Sequence, residues 1–215
     1  MQNENSKKTE VSQLLPKHLL KDAQKGVGYQ LKYKIAISGA AETEFAAPDS
    51  MKEVQEIGRL IAEHGMITVT GATTGAPFWA AKGAKEAGGI VVGISPAATK
   101  REHVEVYGLP LDYHDLIMYT GFGYSGRNLL FTRASDAVIT VCGRIGTLNE
   151  FTDAFEDGKP QGVLLGEGGT TELIQDILKS AHRGMGKVVF DTDPKALIEK
   201  VIALVEKDEA ELGIE

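Results

Sequence analysis

The sequence predicts a doubly wound α/β fold, in which a mostly parallel sheet of about seven strands carries helices on both faces. Seven short apolar runs recur along the chain, and helical patterns separate most of them. The apolar residues in these runs are consecutive rather than alternating, which indicates strands buried on both faces. Strands that alternate with helices form parallel sheets through right-handed crossovers, so the predicted arrangement is Rossmann-like.

The predicted elements begin at Lys34. The strands are the runs KIAIS, MITVT, IVVGIS, DLIMYT, AVITV, GVLLG and KVVFD, at 34–38, 66–70, 90–95, 115–120, 137–141, 162–166 and 187–191. The helices are expected at 50–64, 76–87, 126–135, 147–157, 170–182 and 194–207. The connections at 96–114 and 121–126 are longer than the rest, and no helix is predicted in them.

The chain is predicted to consist of two regions, with the boundary after residue 33. Residues 1–33 are expected to form an N-terminal tail with a short helix at 11–24 that Pro16 interrupts, because the first ten residues are too polar to fold alone. Residues 34–215 are expected to form a single Rossmann-like nucleotide-binding domain with one core.

Composition and charge argue against a nucleic-acid-binding, disulfide-rich or membrane-spanning protein. The formal net charge is −7, which disfavours nucleic acid as a partner because nucleic-acid affinity depends on clustered Lys and Arg. One cysteine excludes an internal disulfide framework. No apolar run approaches the roughly 20 residues that cross a bilayer, and the first ten residues lack the apolar stretch of a secretory signal. We therefore expect a cytoplasmic protein with no membrane partner.

Loops that follow the strands are the places to look for a ligand, because parallel sheets bind ligands at the carboxyl ends of their strands. Gly39 follows the first strand. The loop GATTGAP follows the second, where the glycines and hydroxyls could surround an anion; its candidates are Gly71, Thr73, Thr74 and Gly75. None of these loops has the GxGxxG or GxxxxGK[ST] spacing, which argues against a nicotinamide dehydrogenase and an ATPase.

The third loop, CGRIGTLNE at 142–150, has the strongest functional signal. Its candidate phosphate-binding residues are Gly143, Arg144, Ile145, Gly146 and Thr147. Two roles are open for the carboxylate that follows. Glu150 either forms a capping box with Thr147 as the helix N-cap, or it faces a ligand held by the loop.

The stretch GRNLLFTRASDAVITVCGRIGTLNEF at 126–151 resembles the Lonely Guy (LOG), lysine-decarboxylase-like Rossmann superfamily. Its motifs are an Arg-Lys pair on one helix and PGGxGTxxE after the next strand. Arg127 matches the arginine of the pair, and Gly143, Gly146, Thr147 and Glu150 match the second motif. The resemblance covers about residues 34–205.

Several positions depart from the superfamily pattern. Cys142 stands in place of Pro, Arg144 in place of the second Gly, and Asn128 in place of Lys. Ala72 and Pro77 also replace a Gly and a Met of the first loop. These residues make the chain more similar to the branch that includes molybdenum-cofactor-carrier-like proteins than to the cytokinin-activating enzymes.

Two functions follow from this resemblance. The first is hydrolysis of the N-glycosidic bond of a nucleoside 5′-monophosphate, with Glu150 stabilising the oxocarbenium-like sugar and Arg127 holding the phosphate or Glu150. The phosphate would lie on the amides of 143–147 and 73–75. The alternative is a non-catalytic carrier or sensor of a phosphorylated ligand. The resemblance also implies a homodimer or higher homo-oligomer.

The histidines, the cysteine and the aromatic residues give weaker functional signals. The five histidines show no metal spacing, so no metal site is expected. No resident cofactor is predicted either. Cys142 is read as a small buried filler rather than a nucleophile. Tyr119, Phe122 and Tyr124 could either stack on a base or pack, and Trp79 with its neighbour Phe78 is assigned to the core or a subunit interface.

Overall fold

The computed structural model describes residues 31–212 of the chain, and those from Lys32 onward belong to one compact unit. The predicted helix at 11–24 lies outside the described residues. Seven strands form one sheet in which every neighbouring pair is parallel, in the order β4-β3-β2-β1-β5-β6-β7. The strands are β1 Lys34–Ser38, β2 Ile67–Thr70, β3 Ile90–Ser95, β4 Leu116–Tyr119, β5 Ala137–Thr140, β6 Gln161–Leu164 and β7 Val188–Asp191. The predicted fold class is confirmed.

Helices cover both faces of the sheet. Alternate residues of a strand point to opposite faces, and β1 shows this directly, because Ile35 and Ile37 enter one apolar cluster and Ala36 enters another. The helices of the described residues are α1 Ser50–Glu63, α2 Ala76–Glu86, α3 Lys100–Glu105, α4 Gly123–Arg133, α5 Ile145–Glu156, α6 Ile174–Ala181 and α7 Pro194–Leu212. A 3₁₀ turn, Thr170–Leu173, precedes α6.

Five helices differ from their predictions by more than one residue. Helix α6 begins at Ile174, after the 3₁₀ turn, rather than at 170, and α7 ends at Leu212 rather than at 207. Helix α3 lies in the connection 96–114, where no helix was predicted; Thr99 caps it by accepting a hydrogen bond from the Glu102 N–H. Helix α4 begins at Gly123 rather than at 126, and α5 begins at Ile145 rather than at 147. In the last two cases a glycine-containing stretch that we placed outside the helix forms its first turn.

The strand order places a cleft between β1 and β5. The chain runs outward from β1 through β2 and β3 to β4, and then returns to the other side of β1 with β5. The loops after β1 and β5 therefore lead away in opposite directions, which is the geometry that creates a ligand cleft in open α/β sheets.

No helix among residues 31–212 is both long enough and apolar enough to span a membrane.

Candidate functional site

A cavity of about 340 Å³ lies at the β1–β5 cleft. The loops after β1 and β5, the loop after β2 and the first two turns of α4 all contribute to its wall. The lining residues are Gly39, Ala40, Ala41, Glu42, Thr73, Tyr124, Arg127, Asn128, Arg144, Gly146, Thr147 and Glu150. The structure thus brings Arg127 and Glu150 together with part of the third glycine loop.

Glu150 is fixed in this cavity by residues from two other elements. The Ser38 hydroxyl, at the end of β1, donates a hydrogen bond to Glu150 Oε2. Arg127 Nη1 lies 3.6 Å from Glu150 Oε1, and both side chains are over nine-tenths buried. The carboxylate is therefore held on two sides by groups that are distant from it in the chain.

Asn128 also reaches the Glu150 carboxylate. It is 5% exposed. In the amide orientation that turns its nitrogen, rather than its oxygen, toward these two acceptors, Nδ2 lies 2.9 Å from Glu150 Oε1 and 2.9 Å from the Tyr124 carbonyl oxygen. Asn128 occupies the position where the superfamily motif has Lys. Here a neutral donor replaces a second cation, so the buried acid has one charged partner among the described residues.

Gly71 provides the space that Arg127 occupies. A Cβ atom at position 71 would lie 2.1 Å from Arg127 Nη1 and 2.8 Å from its Cζ. The arginine extends from α4 across the end of β2, and its Nε has no hydrogen-bond partner among the described residues. Gly71 was predicted to bind phosphate, but its contact in the structure is with the guanidinium.

Burial controls the protonation of this pair. It raises the pKa of the Glu150 carboxyl, and the Arg127 guanidinium and the Ser38 hydroxyl oppose that rise. Burial also lowers the pKa of Arg127, although the Glu150 charge counteracts it. The charge of each partner opposes the desolvation of the other, but burial is the larger effect on the pKa of both groups.

The start of α5 does not form the capping box, which was one of the two roles left open for Glu150. Arg144 is the N-cap residue, Thr147 lies in the first turn, and Glu150 lies one turn further on, out of reach of the N-cap amide. Among the described residues, nothing accepts a hydrogen bond from the N–H groups of Ile145, Gly146 and Thr147. These free donors and the positive end of the helix dipole are suited to an anion.

The start of α2, in contrast, offers few donors. The Ala76 N–H donates to the Ala40 carbonyl at 2.9 Å, and Pro77 has no N–H. Thr74 donates through Oγ1 to the Ala41 carbonyl oxygen, and Gly75 packs so closely on this segment that its Cβ would lie 2.3 Å from the Ala40 oxygen. Thr74 and Gly75 therefore join two loops instead of lining the cavity, and Thr73 is the member of this set that does line it.

Gly39 and Gly143 pack closely against neighbouring side chains, whereas a Cβ at Gly146 would meet nothing within 4 Å. A Cβ at Gly39 would lie 2.6 Å from the Ala76 Cβ, and one at Gly143 would lie 2.5 Å from the Thr147 Cγ2. Gly143 and Ile145 line a second, more apolar cavity of about 440 Å³, together with Phe45 and Leu173. Arg144 contributes to the walls of both cavities.

Arg144 forms an ion pair at the mouth of the polar cavity. Its Nη1 donates to Glu42 Oε2, and the two side chains are 57% and 68% exposed. The sequence predicts Arg144 as a candidate phosphate-binding residue. In the structure its partner is an acidic residue of the loop after β1.

Cys142 packs in the apolar core. It has no exposed surface, and burial raises the pKa of its thiol to about 11. The thiol is therefore protonated near neutral pH, as expected for a buried filler.

We expect native Cys142 to resist a thiol-specific disulfide reagent at pH 8, and urea-unfolded protein to react with one equivalent. Burial and the raised pKa both suppress the reactive thiolate. Absorbance of the released reagent anion measures the reaction. Native protein that reacts as fast as the unfolded chain would contradict this assignment.

Of the three aromatic residues considered as stacking partners, Tyr124 alone lines the polar cavity. Tyr119 packs edge-on against His103, and Phe122 is 66% exposed. Trp79 packs partly buried against the core cluster, with Lys82 over its ring. Among residues 31–212, no group of three or more His, Cys, Asp or Glu side chains could hold a metal ion.

Sequence reasoning missed Glu42 as a wall residue of the cavity, and it missed Ser38 and Asn128 as donors to Glu150. Ser38 had a usable signal, because it is a hydroxyl residue at the carboxyl end of a strand, directly before Gly39. Glu42 had none, since it is one of many acidic residues in surface loops.

Known proteins share this fold and part of the sequence. A molybdenum cofactor binding protein from Rippkaea orientalis is 29% identical, with a TM-score of 0.68 over 82% of this chain and 99% of that one. The Moco carrier protein of Chlamydomonas reinhardtii is also 29% identical, with a TM-score of 0.67 over the same shares. DNA processing protein A from Helicobacter pylori is 20% identical with a TM-score of 0.57, which indicates a common fold alone.

Sequence relatives give the family. An uncharacterized protein from Archaeoglobus fulgidus is 34% identical over 126 residues, which are 59% of this chain and 76% of that protein. A model of the SLOG cluster4 family matches residues 32–198. The predicted membership of the Lonely Guy-like superfamily is confirmed. The chain belongs to the SLOG cluster4 family.

Proposed function

We propose that the polar cavity binds a small phosphorylated ligand of the nucleotide or pterin type and that the protein acts as its carrier. The observation that carries this proposal is the placement of Gly146 and Thr147, whose N–H groups are free, and of the buried Arg127–Glu150 pair around one cavity. A phosphate would bind the donors at the start of α5. The sugar or heterocycle would then extend toward Glu150 and Tyr124.

The relatives favour the carrier function over catalysis. The proteins from Rippkaea and Chlamydomonas are described as binding or carrying the molybdenum cofactor, which would be cargo rather than a resident group. Asn128 also supports this function, because it replaces the Lys of the hydrolase motif and leaves the cavity with one buried cation.

Glu150 keeps a second function open, namely hydrolysis of a nucleoside 5′-monophosphate. In that reaction water adds to C1′ of the ribose, the N-glycosidic bond breaks, and the base leaves with a proton, which gives free base and ribose 5-phosphate. A carboxylate beside the sugar would stabilise the positive charge that develops and orient the water. Glu150 is suited to this role, since it lines the cavity and Ser38 and Arg127 fix its orientation.

Glu150→Gln distinguishes the two functions. The amide keeps the shape of the side chain and an oxygen for the Ser38 hydroxyl, but it removes the charge. A carrier should show thermal stabilisation by AMP, GMP or a phosphorylated pterin in wild type without release of free base; a ligand at 100 times its Kd stabilises by about 2.7 kcal/mol. A hydrolase should release base in wild type, and Glu150→Gln should lose the release while it still binds.

Thermal shift and chromatographic detection of the base give both readouts on the same samples. Adenosine serves as the control without phosphate and should stabilise neither protein strongly. If no phosphorylated compound in the panel shifts the melting temperature, the binding proposal itself fails. Release of base by wild type and variant at equal rates would remove Glu150 from the chemistry.

A further inference from the structure

The charged residues that line the polar cavity fall into two ion pairs of opposite character. They are two arginines and two glutamates, so their formal charges cancel. Arg127 and Glu150 form the buried pair, whereas Arg144 and Glu42 form the exposed pair at the mouth. An anionic ligand that enters the cavity therefore finds both cations already paired.

The two pairs differ in how easily they open. The buried pair has side-chain exposures of 6% and 8%, and separating it would leave uncompensated charge in the protein interior. The Arg144 and Glu42 side chains are 57% and 68% exposed, so water can solvate both when they separate. The mouth pair is the one that an incoming phosphate can displace.

Release of Glu42 requires only a side-chain rotation. The backbone on its N-terminal side is anchored, because the Ala40 N–H donates to the Cys142 carbonyl oxygen at 3.0 Å and the Ala41 carbonyl accepts from Thr74 Oγ1 at 3.1 Å. Arg144 is the N-cap residue of α5, directly before the free donors of Ile145, Gly146 and Thr147. A phosphate on those donors lies within reach of a guanidinium freed from Glu42.

We propose that Glu42 is an internal anion that competes with the ligand's phosphate for Arg144 and so sets the affinity and release rate of the site. This inference rests on the proposed binding function. A phosphate monoester carries about −1.5 to −2 charges and can bind a guanidinium through two oxygens, so it outcompetes a single exposed carboxylate. When the ligand leaves, Glu42 returns to Arg144.

Isothermal titration of AMP and of inorganic phosphate into wild type, Glu42→Gln and Arg144→Gln tests this inference. Glu42→Gln should bind both probes about twofold to fivefold more tightly, the range that an exposed pair can supply, and stopped-flow should show slower dissociation of AMP. Arg144→Gln should bind more weakly than wild type. The double variant should bind as Arg144→Gln does, since Glu42 acts through Arg144.

Glu44→Gln is the matched control, because it removes the same charge from an exposed position two residues away that does not line the cavity. It should leave both affinities unchanged, and adenosine should bind all variants alike. Equal gains from Glu42→Gln and Glu44→Gln, or no gain from Glu42→Gln while wild type binds AMP, would overturn the competition. Failure of wild type and Glu42→Gln alike to bind either probe would overturn the proposed function as well.

Discussion

Arg127→Met is expected to lower the free energy of unfolding by about 3–5 kcal/mol at neutral pH, the usual cost of removing one partner of a buried ion pair. Methionine retains much of the apolar volume of the side chain but leaves Glu150 buried without its cation. The same change should abolish binding of phosphorylated ligands, because Arg127 lines the cavity.

The loss of unfolding free energy in Arg127→Met should depend on pH in a defined direction. Burial already raises the pKa of Glu150 in the folded state, and loss of Arg127 removes a group that lowers it. A carboxyl whose folded pKa lies above its unfolded value favours folding at low pH, and this contribution is lost as pH rises through the folded pKa. The destabilisation should therefore be largest at neutral pH and above, and should shrink as the pH falls toward 4.5, the ordinary value for Glu.

Urea denaturation of wild type and variant across this pH range measures both effects. Arg133→Met is a suitable control, because Arg133 lies on the same helix with an exposed side chain paired to Asp157. It should change stability little at any pH. A pH-independent loss in Arg127→Met, or a loss no larger than that of Arg133→Met, would show that the pair does not stabilise the folded state.

Gly71→Ala is expected to have the second-largest effect, although it adds a single methyl group. The new Cβ would lie 2.1 Å from Arg127 Nη1, so the guanidinium must leave its position beside Glu150. Overpacking of this kind costs about 1–3 kcal/mol. Ligand binding should fall at least tenfold, since a misplaced cation no longer holds Glu150.

A double-mutant cycle with Arg127→Met isolates this contact. The atoms that the new Cβ would meet are the Arg127 guanidinium atoms, so Gly71→Ala should cost much less stability in the Arg127→Met background than in wild type. Gly146→Ala is the control for glycine substitution, because its Cβ would meet nothing within 4 Å. Additive effects of the first two substitutions would contradict the proposed contact.

The strands were predictable because their apolar residues are consecutive, and in β1, β5 and β6 nearly all residues are buried. The run KIAIS matches β1 residue for residue, and IVVGIS matches β3. Helix α3 was missed because KREHVE has no apolar stripe, and its stability depends on the Thr99 cap and on a buried histidine. The local pattern of apolar residues was sufficient to predict an element whose residues are uniformly buried. It was insufficient for an element that single polar contacts stabilise.

The sequence identified several residues of the site, but it did not identify the contacts between their side chains. Glycine spacing and the superfamily motif identified Arg127 and Glu150, and both line the cavity. The TxxE spacing is equally typical of a capping box, and only the fold shows that Glu150 interacts with Ser38 and Arg127 instead. Likewise, Gly71 and Arg127 are far apart in the chain, so their packing could not be deduced from local sequence.

A crystal structure of the protein with bound AMP tests the central claim most directly. We expect the phosphate to accept hydrogen bonds from the N–H groups of Ile145, Gly146 and Thr147, with the ribose facing Glu150 and Arg127 still paired to that carboxylate. A phosphate bound away from the start of α5, or a sugar pointing away from Glu150, would contradict the claim that these groups serve one ligand.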